Sequence, residues 1–189
     1  MKKSMIRVDA MLLATFVTTL FYSATHPYIN KVIMSNIEEP HIAINQLITC
    51  LSTIFIGFLW NKKSDKLFKY YAIFCIMETL ISTITTVFVV TTNNIVTFYI
   101  LDTIVFSVVT RNIICGGIKL RSLRYNENER AKFDNDNNTA AAVATIVGSL
   151  IAVKLNLPFS LMIIMATIGN CIDNVFYIYI FYSMRRRKK

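Results

Sequence analysis

The chain has 189 residues, 54% hydrophobic and only 16% charged, and its 20 Lys and Arg against 11 acids give a formal charge of +9. A soluble domain carries roughly a quarter charged residues, so this chain lacks the polar side chains to coat a globule. At about 20 apolar residues per membrane crossing, it has room for six crossings and excludes a separate soluble catalytic domain.

Apolar runs broken by polar clusters predict one all-α membrane domain over residues 1–189. Its transmembrane helices are expected at 10–28, 42–60, 68–90, 95–118, 139–153 and 157–184. The fifth is short, and Lys154 extends it by snorkelling to the interface. Six spans sort the basic residues unevenly. Lys2, Lys3 and Arg7, then Lys62, Lys63, Lys66 and Lys69, then Lys119, Arg121, Arg124, Arg130 and Lys132, and finally 185–189 share one side, 17 in all. Only Lys31 and Lys154 fall on the other. Cytoplasmic loops collect Lys and Arg, so the expectation is a multi-pass protein of the cell membrane with both termini cytoplasmic. The positive charge is then a topology signal, and no nucleic-acid partner is expected.

Within the first span, Thr15, Thr18, Tyr22 and Thr25 recur at helical spacing on one face. That face either lines a cavity or carries threonines bonded to their own backbone. The run continues past the length of a signal-peptide core, and Tyr22-Ser23-Ala24 is a poor cleavage site, so the span is expected to stay as an anchor. His26, beside Pro27, reads as a solvated interfacial residue.

The second connection, 57–69, reads GFLWNKKSDKLFK. It predicts a short positive-inside loop, entered by Gly57, that carries four lysines around Asp65. Further on, four charged residues stand inside predicted spans: Glu78, Asp102, Arg111 and Asp173. Each costs a few kcal/mol or more in lipid unless paired or hydrated. Arg111 and Asp173 share a depth at about 1.5 Å per residue, so Arg111 is expected to pair with Asp173, or else with Glu78. Asp102 lies nine residues from Arg111, on the opposite face of a regular helix.

The polar stretch 134–138, DNDNN, lacks the Gly and Glu of a calcium loop and predicts the N-cap of the fifth helix. That helix repeats small residues at Ala140, Ala144, Gly148 and Ala152, a ridge for close packing against another helix of the chain or against a second subunit. In the sixth span Asn170, Asp173 and Asn174 share one face beside Gly169. They serve either interhelical hydrogen bonding or ligand binding. Trp60, Tyr70, Tyr71, Tyr177, Tyr179 and Tyr182 are expected to face lipid as an interfacial belt. Cys50, Cys75, Cys115 and Cys171 stand singly in different spans and are expected to be buried free thiols. No metalloprotease, serine-hydrolase or phosphate-loop motif occurs, so neither enzyme activity, cofactor nor metal is expected.

The 57–69 stretch resembles the loop signature of the major facilitator superfamily, Gly-x-Leu-Ala-Asp-Arg-x-Gly-Arg-Lys. Gly57, Leu59, Lys62 and Lys66 match in place. Asn61 stands where the family has Asp, Ser64 where it has Gly, and Asp65 where it has a second basic residue. The segment 111–117, RNIICGG, is similar to the family's Arg followed by Gly on the fourth helix, with the first Gly five residues on instead of four. The resemblance implies one six-helix half of a twelve-helix transporter. The Gly57–Asn61–Lys62–Asp65–Lys66 region would then form charged contacts that latch one conformation, and the first and fourth helices would line the substrate path. By that implication Arg111 and Asp102 are better path residues than Glu78 and Asp173, because the third and sixth helices are peripheral. The family's antiporter members have a Gly-Pro-rich fifth helix, whereas this chain has no Pro between Pro40 and Pro158.

Two such halves are parallel repeats about an axis along the membrane normal, so a parallel homodimer of this chain rebuilds the layout. The function expected is movement of an unidentified small solute by a half-size transporter. The alternatives are the substrate-binding component of an energy-coupling-factor importer, docked through Ala10 and Ala14, or a membrane accessory or immunity protein.

Overall fold

The computed structural model describes residues 9–154 and 157–187. Lys2, Lys3, Arg7, Lys188 and Lys189, which contribute to the charge asymmetry, lie outside them. Six helices succeed one another: α1 (Ala10–Asn36), α2 (Glu39–Phe68), α3 (Tyr71–Thr92), α4 (Ile95–Arg124), α5 (Glu127–Lys154) and α6 (Phe159–Arg187). No strand occurs among the described residues.

Four of the six, α2, α3, α4 and α6, are long and apolar enough to cross a membrane. The sequence predicts six spans. α1 and α5 are long enough but hold no stretch of span length that is apolar enough, interrupted by the hydroxyls, Tyr and His of α1 and by the Asn run of α5. These two helices pack extensively on each other. Ala144 and Gly148 are buried there, and a Cβ on Gly148 would stand 2.6 Å from the Leu20 carbonyl oxygen. The partner of the small-residue ridge is therefore α1 of the same chain.

Several predicted boundaries move. α1 runs on through Pro27 to Asn36; a proline is tolerated where neighbouring helices re-satisfy the freed backbone groups. The expected loop at 57–69 is mostly helix. α2 continues to Phe68 across a break at Lys63 (φ −130°, ψ 26°), and two residues later α3 begins. Gly57 has nothing within 4 Å of where a Cβ would stand, so it does not serve close packing.

α5 starts at Glu127, twelve residues before the expected start, and the 134–138 stretch lies inside the helix instead of capping it. The cap is reciprocal: Glu129 N–H donates to Asn126 Oδ1 (2.9 Å) and Asn126 N–H to Glu129 Oε2 (3.2 Å). Such a capping box satisfies two helix-end donors at once, so the helix nucleates upstream of its apolar half.

Two hydrophobic clusters hold the bundle at its ends. One joins Met11, Tyr71, Cys75, Leu120, Phe133 and Phe181; the other joins Ile29, Ile33, Val89, Phe98, Met162 and Ile163. The start of α1, the start of α3 and the end of α6 thus meet at one end, as an up-and-down bundle with an even number of helices requires. At this end Asp9 caps α1, accepting from Met11 N–H (2.8 Å), while its other oxygen accepts from Arg124 Nη2 (2.9 Å) and Tyr125 Oη (2.8 Å). Burial, and then the hydrogen bond it donates to Asp9, push the Tyr125 phenol above its ordinary pKa.

The aromatic belt is divided. Tyr70, Tyr179 and Tyr182 are exposed, but Tyr71 is fully buried and Trp60 is buried with its indole N–H on Asn112 Oδ1 (2.8 Å). A Cβ at Gly116 would overlap the Tyr71 ring, which explains the first glycine after Arg111 on α4. All four cysteines are free; Cys75 is buried, Cys115 and Cys171 are half-buried and Cys50 is exposed, so the expectation of buried thiols holds in full for Cys75 alone.

Candidate functional site

A cavity of about 340 Å³ opens between α1, α3, α4 and α6. Its volume lies at the lower end of the range of small-molecule sites. Thr18, Tyr22 and His26 come from α1, Glu78 from α3, Thr110 and Arg121 from α4, and Asn170, Asp173 and Tyr177 from α6. Close approach of α1 to α6 shapes it: a Cβ at Gly169 would stand 2.6 Å from Phe21 Cβ.

Glu78 is 7% exposed, and burial of a carboxylate in an apolar bundle is unfavourable by several kcal/mol unless it is hydrogen-bonded. Both oxygens are engaged. Thr110 Oγ1 donates to Oε1, and Asn174 Nδ2 donates to Oε2 at 2.7 Å, with a further contact to Thr79 Oγ1 at 3.1 Å. α3, α4 and α6 are therefore tied through one carboxylate. The expected polar face of α6 has two roles, since Asn174 is fully buried and bonds α3 while Asp173 and Asn170 line the cavity.

The hydroxyl face of α1 divides in the same way. Thr25 is fully buried and donates to the Phe21 carbonyl (2.7 Å), as backbone-satisfied threonines do. Thr18 and Tyr22 line the cavity, whereas Thr15 does not. Thr18 Oγ1 is buried beside Asp173, and His26 Nδ1 is buried beside Asn30. His26 is half-buried against Tyr22, ring centroids 3.9 Å apart, instead of being a solvated interfacial residue.

The expected ion pair of Arg111 is not formed. Among the described residues no salt bridge joins it to Asp173 or Glu78. Its guanidinium lies 4.7 Å from the Phe106 ring centroid, and its Nε is buried without a hydrogen-bond partner. Shared depth does not set the direction of a side chain around its helix, and residues Val105–Thr110, just before Arg111, form a π-helical segment within α4. Its wider i→i+5 turn rotates the C-terminal turns of α4 away from the face that 100° per residue assigns. The same segment delivers Thr110 to Glu78, Phe106 to the cavity wall, and buried Ser107 to Thr49 of α2 (3.1 Å).

Asp102 opens on a second cavity of about 420 Å³ with Asn45, Gln46, Thr49 and Tyr99, and Tyr22, His26 and Phe106 line both cavities. Arg111 lines neither. Glu78 and Asp173 thus face the first cavity from the third and sixth helices, and Asp102 faces the second from α4. In the 57–69 region, Asp65 pairs with Lys119 of α4 (3.0 Å) and Lys62 lies over Phe58 (4.3 Å), while Asn61 and Lys66 are exposed. The Asp65 side chain is 90% exposed, and such pairs contribute about 0–1 kcal/mol.

Sequence reasoning does not single out Phe21, Thr110 or Tyr177 as cavity residues, nor Asp9 as a hub. A Thr or an aromatic in an apolar helix gives no signal of its own. Compared with known proteins, the chain matches no family model, no curated protein and no solved structure.

Proposed function

We propose that this protein is a half-size membrane transporter that moves a small solute, in which two parallel copies supply the facing walls that one six-helix half lacks. The observation that carries the reading is the first cavity, which gathers Glu78, Asp173, Asn170, Thr18 and Tyr22 from helices far apart in sequence. Polar side chains of that kind are unfavourable in lipid and mark solute or ion paths. The up-and-down bundle, with its basic residues gathered toward one end, supports six crossings and cytoplasmic termini in the cell membrane. The resemblance of the 57–69 region to the major facilitator loop supports the half-transporter layout, with the Asp65–Lys119 pair as its charged contact.

A second reading is favoured by one specific observation. The cavity lies within the bundle, between α1, α3, α4 and α6, as suits a solute-binding membrane component that docks on a separate scaffold. Native mass spectrometry from mild detergent separates the two. A dimer that persists on dilution is expected for the transporter; a strict monomer rejects the homodimer and leaves the binding component.

A further inference from the structure

The two carboxylates of the first cavity have no cation of their own. Among the described residues neither Glu78 nor Asp173 takes part in a salt bridge. The cationic side chain on the wall, Arg121, is directed to Asp134 of α5 at 3.7 Å, and that pair lies toward the end of the bundle where α4 meets α5. Glu78 is saturated by donors from Thr110 and Asn174, whereas Asp173 receives no such pair of donors and opens on the cavity. Four aromatic side chains, Phe21, Tyr22, Phe106 and Tyr177, share the wall with His26, Asn170 and aliphatic side chains. Thr18 places a buried hydroxyl on the wall beside Asp173.

A carboxylate beside aromatic side chains in a partly enclosed pocket is the chemistry that binds substituted ammonium ions, through ion pairing and cation–π attraction together. A bare metal ion fits less well, since no three His, Cys, Asp or Glu side chains converge to hold one among the described residues. We propose that the first cavity binds a small organic ammonium cation, with Asp173 as its counter-ion and the aromatic side chains around its substituents. This inference rests on the transport reading for its purpose but not for its test.

The test is equilibrium dialysis of radiolabelled tetraethylammonium against the full chain in an uncharged maltoside micelle. Saturable binding is expected, displaced by benzyltrimethylammonium and not by benzenesulfonate. Asp173→Asn is expected to weaken it about tenfold, the loss of one ion pair. Asp173→Glu should restore part of the loss, and Glu127→Gln, on the exposed first turn of α5, should change nothing. Competition on the unmodified chain decides the matter even where a variant misfolds. Absence of saturable binding, displacement by the anion as readily as by the cation, or undiminished binding by a folded Asp173→Asn variant overturns the proposal. Bound tetraethylammonium that undergoes no counterflow in proteoliposomes upholds the site and rejects transport; counterflow of a neutral or anionic solute without cation binding does the reverse.

Discussion

Glu78 shows how one residue within an apolar helix fixes its neighbourhood. Its donors come from α4 and α6, so Asn174→Val leaves a buried carboxylate under-satisfied and is expected to lower stability by about 1–3 kcal/mol, read as a lower unfolding midpoint in detergent. Asp9 acts at the bundle end. Asp9→Ala removes the α1 cap and the acceptor of both Arg124 and Tyr125, a combined loss of about 2–3 kcal/mol by the same measurement. Tyr125 adds a pH dependence. Its raised pKa means that the folded state holds the phenolic proton more tightly. The stability this contributes is intact below the ordinary tyrosine pKa and is lost as pH rises through the folded value. Tyr125→Phe should flatten the alkaline limb of a stability–pH profile.

At the scale of elements, the ridge on α5 and the π-helical segment of α4 matter most. Gly148→Val forces a side chain into the α1 backbone, and overpacking of this kind costs about 1–3 kcal/mol. Gly57→Ala meets open space, and inside a helix it is expected to gain up to about 1 kcal/mol. If the two variants unfold at the same temperature, the ridge is not the α1–α5 contact. The ridge is legible in the sequence because a four-residue repeat of small side chains has one physical use. Helix existence is legible for the same kind of reason, since apolar runs leave few alternatives. The ends are not. A helix continues through polar residues wherever a cap such as Asn126–Glu129 precedes them or, as at Lys63, through a single break. Glu78, Asp173, Thr18 and Tyr22 stand out as polar residues in apolar runs and do line the cavity. The pairing of Arg111 is not legible because shared depth says nothing of the direction a side chain takes around its helix, and the π-helical turn just before Arg111 alters that direction.

For the whole molecule, the layout is an up-and-down bundle in which α1 and α5 pack on each other and the cavity lies between α1, α3, α4 and α6. Transport by such a bundle requires that the cavity open to each side of the membrane in turn. The most direct test places one cysteine in the cavity, Thr18→Cys, in a chain whose four native cysteines are replaced. A membrane-impermeant maleimide is then applied to sealed vesicles from either side. Alternating access predicts that the cysteine reacts from both sides, and that a control cysteine at the bundle end, Asn126→Cys, reacts from one side only. Reaction of the Thr18→Cys variant from a single side, or from neither, would contradict the account.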